Sequence, residues 1–196
     1  PTYNMILTPV FELSTAALAA IVINEINYNS TLTFNTEDWL ELYNNTDSTV
    51  DLSNWVFKDE EDIHSFIIPS GTMLNAGEYI VLVYDTALFK PLFPNVSNYI
   101  GNIGFGLSGG GEKLRLYDNN MNIIDSLTYD DQNPWPEEAD GNGQTLSLRN
   151  PNLDNSLAAS WDASLGHGTP GMVNDNLTDV NDSEENIPAS FSLEQN

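Results

Sequence analysis

The sequence predicts an all-β sandwich. Three observations carry this. Short runs of β-branched and aromatic residues alternate with polar ones at a period of two. Clusters of Gly, Pro, Asn and Asp punctuate those runs at short intervals. No long segment keeps the 3.6-residue period of a helix, and there is no tandem repeat. The 196 residues, 40% of them hydrophobic, suffice for one domain with a core plus tails.

Taken in order, the first strand is Ile21-Val-Ile-Asn-Glu-Ile-Asn-Tyr28. Its β-branched and aromatic side chains suit a pleated, buried surface. Residues 29–36 are polar loop. Asp38-Trp-Leu-Glu-Leu-Tyr43 is the second strand, with Leu40 and Leu42 on one face and Trp39, Glu41 and Tyr43 on the other. A turn at 44–48 precedes a short run at 50–52 and a strand at 55–58. Residues 60–62 open an acidic loop, and the strand at 65–68 is stopped by Pro69-Ser-Gly71. Met73 and Leu74 lead into the turn Asn75-Ala-Gly77. Tyr79-Ile-Val-Leu-Val-Tyr84 is the most apolar run, expected centrally and buried on both faces. Asp85 or Thr86 is placed to cap a short helix over 87–93, which Pro94 ends. Residues 95–111, rich in Gly, Ser and Asn, read as loop. Leu114 and Leu116 point inward from a strand at 113–117. Asp118-Asn-Asn-Met121 turns the chain, and 123–129 pairs back.

The rest is organised around Trp135-Pro-Glu-Glu-Ala-Asp-Gly-Asn-Gly-Gln-Thr-Leu-Ser-Leu-Arg149. Asp140-Gly-Asn-Gly143 is turn chemistry, with glycines free to take positive φ. Leu146 and Leu148 then alternate with Thr145, Ser147 and Arg149, as a half-buried strand requires. Trp161 is a large apolar anchor in a polar segment, expected to plug one end of the sandwich. Thr169-Pro-Gly171 stops further pairing. Residues 1–20 read as a linker or the end of a preceding domain, and 21–174 as the domain. Residues 175–196, acidic and poor in core-forming side chains, read as a linker toward a C-terminal domain.

Five Lys+Arg against 29 Asp+Glu give a formal net charge of −24. That is the wrong sign for nucleic-acid phosphates and for anionic membrane surfaces. It favours solubility and loose cation binding. The absence of cysteine excludes disulfides, thiolate metal sites and a Cys nucleophile. No apolar run reaches the length of a membrane span, so no membrane insertion is expected. Residues 6–23 come nearest and are interrupted by Thr8, Pro9, Glu12, Ser14 and Thr15. Residues 1–20 hold no Lys or Arg, which a signal peptide needs at its start.

Several blocks, in order, carry a family resemblance: Val22-Ile-Asn-Glu25, Asp38-Trp-Leu-Glu-Leu-Tyr-Asn44, Val50-Asp-Leu-Ser-Asn-Trp55, Ile68-Pro-Ser-Gly-Thr72 and Leu74-Asn-Ala-Gly-Glu-Tyr79. Leu114 to Asp118, Ile124-Asp-Ser126, Trp135-Pro, Ala139-Asp-Gly, Ser147-Leu, Asp154-Asn155, Trp161, Thr169-Pro-Gly171 and Asn174 follow. Over residues 21–174 the chain resembles the lamin tail domain family, with Asn54 where that family usually has Gly. The resemblance implies an immunoglobulin-like β-sandwich and, in bacteria, an extracellular module. Ile187-Pro-Ala-Ser-Phe-Ser-Leu-Glu-Gln-Asn196 resembles the lead-in to the C-terminal sorting domain of type IX secretion cargo, without the Tyr-Pro-Asn-Pro-Phe run that follows there. It implies an exported parent protein.

No reaction is spelled out. Glu25 and Glu41, mid-strand among apolar neighbours, form the one carboxylate pair suited to glycosidase work. The competing expectation, which we favour, is that each accepts hydrogen bonds from a neighbouring loop. His64 and His167 lack a close partner histidine, so no zinc site is expected. Asp118-Asn-Asn-Met-Asn122 has Asp/Asn at calcium-loop positions but lacks the Gly and Glu such loops need. Asp140-Gly-Asn142 and Asp179-Val-Asn181 fail in the same way. No serine lies in Gly-x-Ser-x-Gly. The glycine-rich Gly104-Phe-Gly-Leu-Ser-Gly-Gly-Gly111 lacks the Lys-Ser/Thr of a phosphate cradle. Trp39, Trp55 and Trp161 are expected as anchors. Trp135, between two prolines, is the tryptophan expected to be exposed for sugar stacking.

These readings converge on a non-catalytic accessory module of an exported protein, extracellular or on the cell surface, that spaces domains or binds a protein or surface partner. Neither a cofactor nor a metal is expected, and no residue is assigned to catalysis. The alternative is a carbohydrate-binding module using Trp135 and loop carboxylates, with calcium as a conceivable aid.

Overall fold

In chain order the strands are β1 (Ile21–Asn27), β2 (Trp39–Asn44), β3 (Val50–Asp51), β4 (Val56–Lys58), β5 (Phe66–Ile67), β6 (Met73–Leu74) and β7 (Tyr79–Val83). Helix α1 (Thr86–Leu92) follows, then β8 (Tyr99–Gly101), β9 (Glu112–Tyr117), β10 (Ile123–Tyr129), β11 (Leu146–Leu148) and β12 (Trp161–Ala163). The structure is a computed structural model, and it describes residues 19–175. The expectations for the tails, Asp179 included, fall wholly or almost wholly outside the described residues.

The fold is an immunoglobulin-like β-sandwich. A six-stranded sheet has the order β12-β11-β1-β2-β7-β8, a four-stranded sheet the order β10-β9-β4-β5, and β3 pairs with β6. β7 and β8 run parallel; the other pairs are antiparallel. Alternation puts one row of each strand between the sheets. Leu40 lies opposite Ile26 and Leu82, and Leu42 opposite Ile23 and Ile80, so the rows are in register across three strands. Leu146 and Leu148 continue them, and Leu114, Leu116, Leu127 and Phe57 meet them from the other sheet, all fully or almost fully buried.

The outer face of the large sheet is covered too, which is why all seven residues of β1 are buried. At one end α1 lies over it, and Phe89 packs on Trp39, Val81 and Val83. Asp85 caps this helix by accepting from the Ala87 and Leu88 N–H groups. The helix begins at Thr86, one residue before the expected start, and ends before the expected Phe93, which caps it instead. At the other end residues 164–175 fold back across β1 and β2. Tyr79-Ile-Val-Leu-Val is buried on both faces from Ile80 onward, as its unbroken apolar run predicts, but it lies second from the edge of the sheet, between β2 and the short β8, and not at its centre.

Residues 95–111 are not loop throughout. β8 lies within them, with Val81, Leu82 and Val83 matched to Tyr99, Ile100 and Gly101. Its short Tyr-Ile-Gly run carries no alternation long enough to signal a strand, and the pairing comes from the exposed edge of β7. The Asn98 amide helps to fix it by donating to the Tyr79 carbonyl.

Candidate functional site

β1 and β2 set Glu25 directly opposite Glu41 on the outer face of the large sheet, and both are fully buried. Their partners come from the segment above. The Thr169 N–H donates to both Glu25 oxygens (3.0 and 3.1 Å), and the Thr145 hydroxyl donates to one of them at 2.5 Å. Glu41 accepts from the Gly171 N–H at 2.5 Å and the Asn24 amide at 2.9 Å. Gly168 is required here, because its φ is +88° and a Cβ would stand 2.8 Å from Glu25 Oε1. Burial pushes the Glu25 carboxyl up to about 7, against the pull of the Thr145 and Thr169 donors. Burial also raises Glu41 well above the usual range, and the facing Glu25 adds to it. The pair is a clamp on the closing segment, as the loop hydrogen-bonding expectation holds.

Other carboxylates do the same work. The Asp125 carboxylate, on β10, accepts from the Ile23 N–H and the Asn155 amide, both at 2.7 Å, and so ties the two sheets together at the β1 bulge. The glycine-rich loop donates to its own anchors, Leu107 N–H to Asp38 and Ser108 N–H to Glu112, both at 2.7 Å. No phosphate is needed to fill it. Asp118 accepts from the Asn120 and Asn122 N–H groups and the Asn122 amide, so it completes a hairpin turn. Asp140 accepts from the Asn29 amide at 2.6 Å.

The two histidines serve separate loops. His64 pairs with Asp59 at 2.6 Å and stacks on Phe105. His167 bonds the Gly143 carbonyl and stacks on Phe34 with ring centroids 4.0 Å apart. Among the described residues no group of three or more His, Asp or Glu side chains is arranged to hold a metal ion.

The expectation for Trp135 is corrected. It is 8% exposed, and its ring packs on Trp161 with centroids 6.0 Å apart. Between its two prolines the indole turns into the core instead of standing out from the surface as a stacking platform. Trp161 is 2% exposed and anchors from edge strand β12, with its Nε1–H donating to the Asn155 carbonyl at 2.8 Å. Trp39 and Trp55 are buried as expected. Beside the Trp135–Trp161 pair opens a pocket of about 530 Å³, lined also by Glu137, Glu138, Arg149 and Asp162. Arg149 Nη2 donates to Asp162 at 3.1 Å, while its Nε–H is sealed from solvent and meets no acceptor. Sequence reasoning gave Arg149 only a place on a strand. Its sole signal was that it is one of five cations and stands at the end of β11.

A family model described as Lamin Tail Domain matches residues 14–131. The chain belongs to the lamin tail domain family. The match ends before β11 and β12, yet these strands complete the large sheet of the same sandwich by pairing onto β1. No curated protein matches the sequence. Among solved structures the lamin tail domain described here is similar to a DUF4876 family protein from Bacteroides thetaiotaomicron VPI-5482. The two share 10% identity with a TM-score of 0.48, over 88% of this chain and 75% of that one.

Proposed function

We propose that this chain is a non-catalytic accessory module of a larger exported bacterial protein, displayed outside the cell, where it positions neighbouring domains or binds a protein or surface partner. One observation carries the reading. Glu25 and Glu41, the carboxylate pair suited to acid–base work, are sealed beneath residues 164–175 and turn their oxygens to that segment's N–H groups and nearby side chains. A catalytic acid or base must reach a substrate. Family membership supports the same reading, because lamin tail domains are typically non-catalytic. The sorting-domain resemblance of residues 187–196 supports export.

The manner of attachment follows from Asn174. Its amide donates to the Asn24 and Leu148 carbonyls, and its oxygen accepts from the Asn24 amide. Asn24 lies on β1 about 10 Å from Ile21, at the rise of an extended strand. The chain therefore leaves the sandwich beside the point where it joins it. This suits a module carried on the side of its parent better than a rod-like spacer.

Protease treatment of intact cells is the test. The module should be cleaved from the surface, and full protection inside the cell overturns the exported reading. The purified chain should turn over none of a panel of glycans, phosphoesters and peptides. Turnover abolished by Glu25→Gln or Glu41→Gln overturns the non-catalytic reading.

A further inference from the structure

We infer that residues 165–175 are a pH-operated strap, closed over β1 and β2 while the Glu25–Glu41 pair carries a proton and released when the pair ionises fully. The sandwich beneath stays folded as the strap lifts. Release frees the chain that runs on from Asp175, adding up to about 35–40 Å of reach to its tether.

The strap is built to move as one piece. The Leu165 N–H donates to both Asp175 oxygens at 3.1 Å, so its two ends are tied together as in an Ω-loop. Just before it, Ser164 is fixed to β11's lead-in, its N–H donating to the Thr145 carbonyl and its hydroxyl accepting from the Thr145 N–H. The strap buries little apolar surface. Leu165, Met172 and Val173 are 80, 65 and 56% exposed. Where the strap meets Trp39 it has Gly168, with no side chain to pack. Pro170 is buried and His167 stacks on Phe34; these are its apolar attachments. A segment with so few buried apolar contacts opens locally, at a lower free energy than global unfolding.

What holds it down is polar and centred on the pair. The Thr169 and Gly171 N–H groups donate to Glu25 and Glu41, and Asn174 bonds Asn24 and Leu148. The groups around the pair bring negative charge or none. Asp175 faces it from the strap and Tyr79 from β7, while β11 and its lead-in present Ser147 and Thr145. His167, beside Gly168, turns to the Gly143 carbonyl. Two buried carboxylates at facing positions ionise together only at a cost. Once the strap lifts, each meets water and regains ordinary acidity. The closed form therefore binds more protons than the open one. Burial holds Glu25 at about 7 when closed against an ordinary 4.5, and burial, then Glu25 itself, moves Glu41 in the same direction. Closure is thus most favoured at the acid end of this window and weakens as pH climbs through about 7.

Hydrogen–deuterium exchange of the full chain, read by mass spectrometry at pH 5 and pH 7.5, is the test. Ionic strength is matched, and rates are corrected for the intrinsic pH dependence of exchange. The opening constant of peptides within 165–175 should rise at least about tenfold, because each proton released on opening contributes up to about a factor of ten per pH unit. At both pH values it should exceed the opening constants of β2 and β7. Equal protection of the strap at pH 5 and pH 7.5 overturns the inference. So does a strap more open at pH 5, or one that exchanges only together with β2 and β7, since that is global unfolding.

Glu25→Gln and Glu41→Gln each remove one titrating group and should shrink the pH effect at least threefold. Glu60→Gln, on another loop, should leave it unchanged. An undiminished pH effect in both Gln variants, with native circular dichroism, overturns the role of the pair. Should neither fold, a spin label decides. The chain has no cysteine, and Met172 is exposed, so Met172→Cys takes a single label on the strap. Its mobile spectral component should grow from pH 5 to pH 7.5, and an unchanged spectrum overturns the inference. None of these outcomes bears on the accessory-module reading, which cell-surface proteolysis tests separately.

Discussion

Glu25 and Glu41 face each other across adjacent strands, and the segment that buries them is the one they hold. The sheet register decides this, since each carboxylate has the other as its cross-strand neighbour. Like charges directly opposite each other are unfavourable, and more so when desolvated. Donors from Thr145, Thr169, Gly171 and Asn24 make the arrangement tolerable.

The consequence is a stability that falls as pH rises. Burial lifts Glu25 from an ordinary 4.5 to about 7, and Glu41 upward as well. Asp38 is lifted by burial to about 7, and burial raises Asp125 and Glu112. Between the ordinary carboxyl values and about 7 the folded chain binds more protons than the unfolded one. Its stability is therefore fully expressed at the acid end of that window and declines through it. Thermal melts at matched ionic strength should give a higher midpoint at pH 5 than at pH 8. Glu41→Gln should flatten the dependence. A midpoint that rises with pH contradicts the assignment.

Asn174 locks the closing segment with three hydrogen bonds at 2.8 to 3.1 Å. Asn174→Ala would leave the carbonyls of Asn24 and Leu148 each without that donor in a buried setting. The expected loss is about 1–3 kcal/mol, the cost of leaving buried polar groups unmet. Urea unfolding of the purified chain measures it, and a loss below roughly 0.5 kcal/mol would mean the segment closes without this residue.

Trp161 and Trp135 pack on each other in the core, so both should behave as buried aromatics. Trp161→Ala should cost about 3–5 kcal/mol, the usual range for such truncations. Trp135→Ala should also cost several kcal/mol, far more than the ±0.5 kcal/mol usual at exposed sites. Denaturant titration of the two variants separates the cases, and a negligible effect at Trp135 would return it to the surface.

Much of this was legible in the sequence because the signals were periodic. Leu40, Leu42, Leu146 and Leu148 show their faces by alternation, and the unbroken Tyr79-Ile-Val-Leu-Val marks a strand covered on both sides. Glu25 and Glu41 could be read as loop acceptors because a buried carboxylate must find donors. What stayed hidden depended on tertiary context. Trp135 looked exposed because its prolines suggest a projecting loop, and only the position of Trp161 shows where the ring goes. β8 was missed because a three-residue strand has no period of its own and borrows its partner's edge. Arg149 carries no motif, and its pairing with Asp162 depends on where β12 places that carboxylate.

The last expectation concerns cations. With a net charge of −24 the folded chain repels itself, and monovalent salt screens that repulsion over about 8–10 Å. A specific calcium site would act by mass action, at concentrations too low to alter screening. Among the described residues, the acidic side chains closest to calcium-loop spacing are already engaged. Asp118 is held below the usual carboxylate range by the Asn122 side chain first, and Asp140 is bonded to Asn29. Asp62 is paired with Arg115 at 2.9 Å. Sodium chloride should therefore raise the melting temperature, and calcium should add little once ionic strength is matched. The comparison is a melt in about 0.5 M salt, with millimolar calcium exchanged for chelator. A strong shift from calcium alone would show a site that the loops assemble only around the ion, and Asp118→Asn and Asp140→Asn would then locate it.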